Sequence, residues 1–214
     1  MQAIGEHLDV IVRAMGTTAS LAAISFALAL VLGVAVASCR IGPVPPLRWG
    51  AVVWVELLRN TPLTVLMFMW FFGLPKVGVL FSSYLTAVIA LSLYTSAFVA
   101  ETVRSGVNTV GQGQLDACRA LGLGVRQTLT SVVMPQALRT VVSPLGGVLS
   151  ALIRNTSVAY TISVAELSRE VDRLANETAQ TTPLLIGAGV AYLLMTVPTG
   201  VAAGALQRRL AIRR

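Results

Sequence analysis

The sequence is short of charged residues. Only 12% of its 214 residues are charged, whereas soluble domains average about a quarter. Its hydrophobic content of 55% excludes a disordered chain, which needs low hydrophobicity and high charge. The 16 basic residues outnumber the 9 acidic ones, but long apolar runs separate them, which argues against the basic face of a soluble nucleic-acid-binding protein. Several of these runs approach bilayer-spanning length, so the composition indicates an integral membrane protein.

Residues that carry catalysis are also scarce. His7 is the single histidine and Lys76 the single lysine. An intramembrane hydrolase needs a nucleophile, a base and an orienting group within hydrogen-bond reach, and no histidine falls at membrane depth. The sequence has no cluster with metal-ligand spacing and no Gly-x-x-x-x-Gly-Lys-Ser/Thr loop for nucleotide. We therefore expect a chain that is not an enzyme and that binds no metal or cofactor itself.

The two cysteines could indicate a lipoprotein cleavage site or a disulfide bond. Cys39 ends a Val-Ala-Ser-Cys run that resembles a lipoprotein cleavage box, which would remove residues 1–38. The long apolar stretch before it and the acidic residues Glu6 and Asp9 argue against cleavage. A disulfide to Cys118 is not expected, because the predicted topology places both residues on the cytoplasmic side. Both are better interpreted as small apolar residues.

Five segments are long and apolar enough to cross a bilayer, which takes about 20 residues of helix. They are residues 17–39, 49–74, 77–100, 140–165 and 178–206. A polar patch before Pro62 interrupts the second segment, and Arg154 interrupts the fourth, so we expect both to be kinked or broken. The sequence therefore predicts one all-α, polytopic membrane domain over residues 1–214, with five transmembrane helices and a polar loop at 101–139.

The charges orient this domain. Five spans place the termini on opposite sides, and one side receives ten arginines against two acidic residues. These arginines are Arg40, Arg48, Arg104, Arg119, Arg126, Arg139, Arg208, Arg209, Arg213 and Arg214. The positive-inside rule places that side in the cytoplasm. We expect a multi-pass protein of the plasma membrane, with its amino terminus outside and its carboxyl terminus and the 101–139 loop inside.

The loop itself predicts two short helices joined by a glycine elbow. Gly111 breaks the chain before a helix over residues 114–121, and Gly122 suits its end, where a left-handed residue is needed. A second helix from Val125 is expected to stop near Pro135, because proline disfavours helix in the residue before it. The pair could lie on lipid headgroups or dock a soluble partner.

The spacing in this loop resembles the signature loop of ABC-importer permeases, which is Glu-Ala-Ala, three residues, Gly, nine residues, Ile-x-Leu-Pro. Here it is Asp116-Ala117-Cys118, three residues, Gly122, nine residues, Val132-Val133-Met134-Pro135. Other stretches resemble the permeases of the polar amino-acid family, most of all the glutamate permeases of actinobacteria. They are Glu56-Leu-Leu-Arg59-Asn60-Thr61-Pro62, Tyr94-Thr-Ser-Ala-Phe-Val-Ala-Glu101 and Arg154-Asn155-Thr156-Ser157.

The resemblance implies a type I ABC importer permease for polar amino acids, with glutamate favoured, that works by alternating access. It implies two separate ATPase subunits that bind ATP and Mg, a second permease subunit (identical or a paralogue) and an external solute-binding protein. No nucleic acid is expected as a partner. It also implies that the first loop helix docks in a groove of the ATPase. The implied docking residues are Asp116, Ala117, Cys118, Arg119, Ala120, Leu121 and Gly122. An importer of another small solute and a passive membrane scaffold are the alternatives.

Two polar patches at membrane depth share a tripeptide, Arg-Asn-Thr. An arginine at the bilayer centre costs about 2.5–3.5 kcal/mol on insertion scales, so each should face protein or a wet cavity. In transporters, broken helices that carry such patches meet at a midplane site. We expect both patches to line the substrate pathway, through Glu56, Arg59, Asn60, Thr61, Arg154, Asn155, Thr156 and Ser157. A purely structural Glu56–Arg59 ion pair is the alternative for the first patch.

Two further charged features have structural explanations. Glu101 and Arg104 lie three residues apart at the end of the third span, which predicts a helical ion pair at the membrane interface. Residues 166–177 are rich in acidic side chains on the expected outside. We expect a solvated loop there, with contact to the binding protein as the alternative.

Overall fold

The structure, a computed structural model, describes Gly5 and residues 7–210, and every regular element in that part of the chain is helical. The α-helices are α1 (Leu8–Ile41), α2 (Pro45–Asn60), α3 (Leu63–Gly73), α4 (Ser83–Asn108), α5 (Gln112–Ala120), α6 (Val125–Gln127), α7 (Met134–Asn155), α8 (Leu167–Thr178) and α9 (Thr181–Leu210). Short 3₁₀ helices follow α3 (Leu74–Val77) and α7 (Thr156–Ile162), and a π-helix (Thr128–Val133) joins α6 to α7. The all-α prediction is confirmed. Glu6, Arg213 and Arg214, which entered the charge argument, lie outside the described residues.

Four segments of the described chain are long and apolar enough to cross a membrane: α1, α4, α9 and the stretch Val125–Ile162 that contains α7. The bent pair formed by α2 and α3, with its 3₁₀ extension, makes a fifth if it crosses as one unit. The two helices meet at 103°. Thr61 is extended there, with φ −101° and ψ 130°, because the proline after it disfavours helix. The Pro62 carbonyl then accepts the N–H groups that begin α3.

Helix directions follow from the close contacts. On α1 and α4, which run parallel, Ser20 bonds Tyr84 at 2.8 Å, and a Cβ added to Gly33 would lie 2.6 Å from the Val99 side chain. Helix α7 packs antiparallel to α4 and α9. The carboxyl ends of α1, α4 and α9 therefore share one end of the bundle with α5, which we call the α5 end. Helix α8 packs on the start of α1 at the opposite end, the α8 end.

The predicted loop 101–139 is shorter than expected, because α4 continues to Asn108 and the helical stretch that leads into α7 begins at Val125. The prediction that a helix from Val125 stops near Pro135 is wrong. A π-helix precedes the proline, and the Met134 N–H donates to the Leu129 carbonyl five residues back. This wider turn leaves room for the proline ring, which would clash with the carbonyl four residues earlier in a regular α-helix.

Candidate functional site

Helix α5 begins and ends where glycine permits it. Gly111 is extended at the helix start, and Gly122 adopts a left-handed φ of 71° after the helix end. The Leu123 N–H donates to the Cys118 carbonyl at 3.0 Å, and the Gly122 N–H donates to the Arg119 carbonyl at 2.9 Å. These bonds satisfy carbonyls that the helix end would otherwise leave unpaired, and they turn the chain sharply back toward α6.

The docking residues predicted from the loop motif lie on a projecting helix. Among them Cys118 is buried, while the others are exposed to solvent. Leu121, at the tip, is 77% exposed, as is Val125 at the start of α6. Asp116 and Arg119 pair with each other at 2.6 Å on the exposed face. One buried anchor and an exposed apolar tip are what a docking element needs, because large apolar side chains gain most when a partner covers them.

A cluster of charged side chains joins α1, α2 and α4. Glu101 of α4 accepts a bond from Arg40 of α1 at 2.5 Å and another from Arg104, its neighbour on the same helix. Arg59 of α2 approaches the same carboxylate more loosely, with 3.9 Å between Nη1 and Oε2. Glu56 lies 3.9 Å from Arg40. We call these five residues the arginine cluster. Three guanidinium groups and two carboxylates leave one surplus positive charge.

The expected Glu101–Arg104 ion pair is therefore confirmed, and the alternative Glu56–Arg59 pair is wrong. Both members of the latter pair lie on the same helix, yet each finds a partner on another one. Glu56 instead accepts a bond from the Asn60 amide at 3.2 Å. Spacing along one helix does not decide these pairs, because the packing of α2 against α1 and α4 brings Arg40 and Glu101 within 4 Å of its charged side chains.

A cavity of about 350 Å³ lies between α4 and α7, next to the arginine cluster. The aromatic side chains of Tyr94 and Phe98 line one wall, and Asn155 lines the other with a stretch of small residues. The Arg59 guanidinium lies over the Phe98 ring, 5.6 Å from its centroid, a cation–π contact. Of the predicted pathway residues, Asn155 thus lines this cavity and Arg59 adjoins it.

Three of the other predicted pathway residues, Thr61, Thr156 and Ser157, bond to the backbone at the helix breaks. The Thr61 hydroxyl donates to the Leu57 carbonyl, and the Ser157 hydroxyl donates to the Arg154 carbonyl. Thr156 is fully buried and donates to the carbonyl of Ile153. The Arg154 side chain is exposed on the subunit surface and forms no ion pair within the described residues. No hydrogen bond among those residues joins the two Arg-Asn-Thr tripeptides directly.

Sequence reasoning missed the residues that connect these features. The sequence paired Glu101 only with Arg104, and it indicated no role at the site for the side chains of Arg40, Tyr94 or Phe98. The aromatic pair had a local signal, since residues four apart on a helix share a face, and their rings do pack with centroids 5.0 Å apart. The partners of Glu101 on α1 and α2 had no such local signal in the sequence, because these contacts depend on how the helices pack.

The acidic segment 166–177 is not the solvated loop that we expected. It is mostly helix α8, and Glu166 caps its start by accepting the Arg169 N–H at 2.9 Å. Glu166 is fully buried, and it also accepts a bond from the Tyr192 hydroxyl on α9 at 2.9 Å. The Leu167 N–H donates to Thr18 of α1. The segment is therefore a fixed element that ties α8 to α1 and α9.

Burial raises the pKa of Glu166 above its ordinary range, because removing water disfavours the charged form. Below the ordinary pKa the carboxyl is protonated in both folded and unfolded chains. As the pH rises towards the raised pKa, the unfolded chain ionises first, and stability is lost by up to about 1.4 kcal/mol per pH unit.

Glu166→Gln should remove this dependence, so that its thermal stability falls less than that of the wild type between mildly acidic and neutral pH. Glu177→Gln, on the exposed face of α8, should keep the wild-type slope, and equal slopes for all three proteins would contradict the prediction.

The long, apolar helices and the bent crossing are those of a multi-pass membrane protein. Residues 29–212 match the family described as binding-protein-dependent transport system inner membrane component. The chain belongs to this family. Membership confirms the resemblance to ABC-importer permeases and the prediction that the chain is a transport component and not an enzyme.

Two relatives of this chain are named for amino-acid transport. The chain is 35% identical over 187 residues to the probable glutamine ABC transporter permease protein GlnM of Bacillus subtilis, with 87% of each chain covered. It is 36% identical over 199 residues to the glutamate transport system permease protein GluC of Corynebacterium glutamicum, again with 87% of each covered. Among solved structures, an amino acid ABC transporter crystallised with histidines shares the fold, with a TM-score of 0.92 at 24% identity over 97% of both chains.

Proposed function

We propose that this chain is the permease subunit of an ATP-driven importer for polar amino acids, with glutamate as the favoured substrate. The observation that carries the proposal is that α5 connects α4 to the α6–α7 segment, while α4 and α7 form the walls of the 350 Å³ cavity. A partner that pulls on α5 therefore acts on both walls at once and can change their separation. This is the mechanical requirement of alternating access, in which a force at one end of the bundle opens a site within it.

The proposed docking surface is α5 with its carboxyl-terminal turn, residues 112–122. Its partner would be a pair of ATPase subunits that bind ATP and Mg, so this chain needs no cofactor of its own. The α5 end of the described chain carries the arginine-rich segments, while most of the acidic residues outside the cluster lie towards the α8 end. By the positive-inside rule, we place the α5 end in the cytoplasm and the α8 end outside. A binding protein would then deliver the amino acid to the α8 end, and a second permease subunit would complete the pore.

The substrate proposal rests on charge and on the two relatives. The arginine cluster beside the cavity carries one surplus positive charge, which attracts a carboxylate in a site of low dielectric. Asn155 presents an amide to the same cavity, and amides bond either end of an amino acid. Relatives named for glutamine and glutamate transport support the same class. Every amino acid carries an α-carboxylate. Glutamate carries a second carboxylate on its side chain, so it would be attracted more strongly by the surplus positive charge.

Reconstitution with the ATPase and the binding protein in lipid vesicles tests the function. We expect uptake of labelled glutamate that needs ATP inside and binding protein outside, and that exceeds uptake of glutamine. A permease that assembles with the ATPase but takes up no amino acid would refute the proposal. Preferential uptake of glutamine would refute only the assignment of glutamate.

Asn155→Leu tests the cavity as the pathway. The leucine has a similar volume but cannot bond the substrate, so we expect glutamate uptake to fall at least about tenfold, equivalent to one lost bond of roughly 1.4 kcal/mol. Binding-protein-stimulated ATP hydrolysis should persist. The control away from the cavity is Asn176→Leu on the exposed face of α8, which should transport normally if its binding-protein-stimulated ATP hydrolysis is unchanged. If Asn155→Leu transports like the control, the cavity is not the pathway, and if the assembled complex is lost, the role is structural.

A further inference from the structure

Two cavities follow one another along the interface between α4 and α7. The cavity described above, of about 350 Å³, includes Tyr94 and Asn155 and lies nearer the α8 end. A second, of about 280 Å³, includes Glu101 and Ser105 and lies nearer the α5 end. We call them the upper and lower cavities. Pro144 of α7 borders both, so they meet at one level of the interface.

The side chains at this level come from two helices. Phe98 lines the upper cavity and Glu101 lines the lower one, and the two lie one turn apart on α4. Arg59 reaches both, because its guanidinium lies over the Phe98 ring and also 3.9 Å from the Glu101 carboxylate. A single cationic side chain from α2 therefore links a residue of the upper cavity to a residue of the lower one.

The partners of Glu101 are not equivalent. Arg40 and Arg104 form direct hydrogen bonds with its carboxylate. Arg59 lies beyond hydrogen-bond distance, at 3.9 Å, and its side chain is 39% exposed. Such a long, partly exposed ion pair is weak and readily exchanged. Arg59 is also the residue of this group nearest the Thr61–Pro62 break, where the chain bends by 103° between α2 and α3.

We propose that Arg59 and Phe98 form a gate between the upper and lower cavities, and that Glu101 is the positioning residue that holds Arg59 in the closed position. Arg40 and Arg104 fix the carboxylate, and Arg59 is the moving part. The gate opens when α2 tilts at its break and Arg59 leaves Glu101. The assignment rests on the proposed amino-acid pathway, since only a transported solute requires passage from one cavity to the other.

Thiol labelling tests the gate directly in the assembled transporter. In a background with Cys39→Ala and Cys118→Ala, Val148→Cys places a thiol in the upper cavity and Ser105→Cys places one in the lower cavity. A membrane-impermeant methanethiosulfonate is added to inside-out vesicles, so that it arrives from the proposed cytoplasmic side. The closed gate should leave the lower thiol reactive and the upper one slow.

Glu101→Gln should speed labelling of the upper thiol at least tenfold and leave the lower thiol unchanged. Because Glu101→Gln also removes two hydrogen-bonded ion pairs and could prevent assembly, Arg59→Gln provides a second test that keeps both of those pairs. It should give the same acceleration. Glu177→Gln on α8 is the matched control and should label like the parent. Glu101→Asp keeps the negative charge but shortens the side chain. If it restores the slow labelling of the upper thiol, the charge that positions Arg59 is what matters, and not the packing of the longer side chain.

The outcomes separate the gate from the proposed function. If assembled Arg59→Gln labels at the parental rate while the parent imports amino acids, the gate is refuted and the function stands. If the wild-type protein imports no amino acid, the proposed function fails whatever the labelling shows. Accelerated labelling confined to the upper thiol supports the gate, whereas acceleration at both thiols indicates general loosening and overturns it.

Discussion

Leu121→Glu is expected to release the proposed ATPase partner from the permease. Leu121 lies at the end of α5 and is 77% exposed in the isolated chain. Burying a leucine in a partner groove contributes about 1.5–3 kcal/mol, and a buried glutamate without a cation would add a desolvation penalty. Interface positions of this kind cost about 2 kcal/mol or more on truncation, so the affinity should fall roughly thirtyfold or more.

Co-purification of a tagged permease with its ATPase measures this effect, and ATP-dependent uptake should fall in parallel. The matched control is Leu80→Glu, because Leu80 is 79% exposed but lies in the turn between α3 and α4 at the other end of the bundle. That variant should retain the ATPase. If Leu121→Glu retains it as well, α5 is not the main docking element, and the assignment of residues 112–122 fails.

Some of the fold could be predicted because a single residue decides the local backbone. Pro62 forces the residue before it out of the helix, and the structure has its sharpest break there. Gly122 adopts a left-handed φ at the end of α5, the conformation that other residues rarely take. Such effects act over a few residues, so the sequence alone is enough to place them.

The ends of the long helices could not be predicted in the same way. Apolar runs mark only the part of a helix that lies in the hydrocarbon. Helix α1 begins at Leu8, although the apolar run begins at residue 17, and α4 continues through Glu101 and Arg104 to Asn108. In both places charged side chains remain helical because they pair with neighbours or reach water, so charge does not end a helix there.

The arginine cluster shows where sequence reasoning about the site reached its limit. A spacing of three or four residues identifies partners on one helix, and it found Glu101 with Arg104. It could not find Arg40 and Arg59, which lie 61 and 42 residues before Glu101 in the chain. Those contacts depend on the parallel packing of α1 and α4 and on the position of α2 beside them. The loop motif, by contrast, was local and needed no packing information.

Gly146→Ala should destabilise the permease more than its added methyl group suggests. A Cβ at this position would lie 2.2 Å from the Cβ of Ala203 and 3.7 Å from its Cα. Neither atom can rotate away, so α7 and α9 must separate. Small residues at helix interfaces allow backbones to approach closely in membranes, and overpacking of this kind costs about 1–3 kcal/mol. For a chain of this length we expect the melting temperature in detergent to fall by roughly 3–10 °C.

The same close approach predicts that a second substitution, at Ala203, compensates for the first. Ala203→Gly removes the atom that the new methyl group would strike, so Gly146→Ala with Ala203→Gly should recover most of the lost stability, although Ala203→Gly alone should cost about 1 kcal/mol. The matched control is Gly147→Ala, the next residue of α7, where an added Cβ meets no atom within 4 Å. Additive losses in the double variant would show that the two residues do not touch. Recovery would establish that Gly146 and Ala203 touch, on the face of α7 opposite the one that lines the cavity.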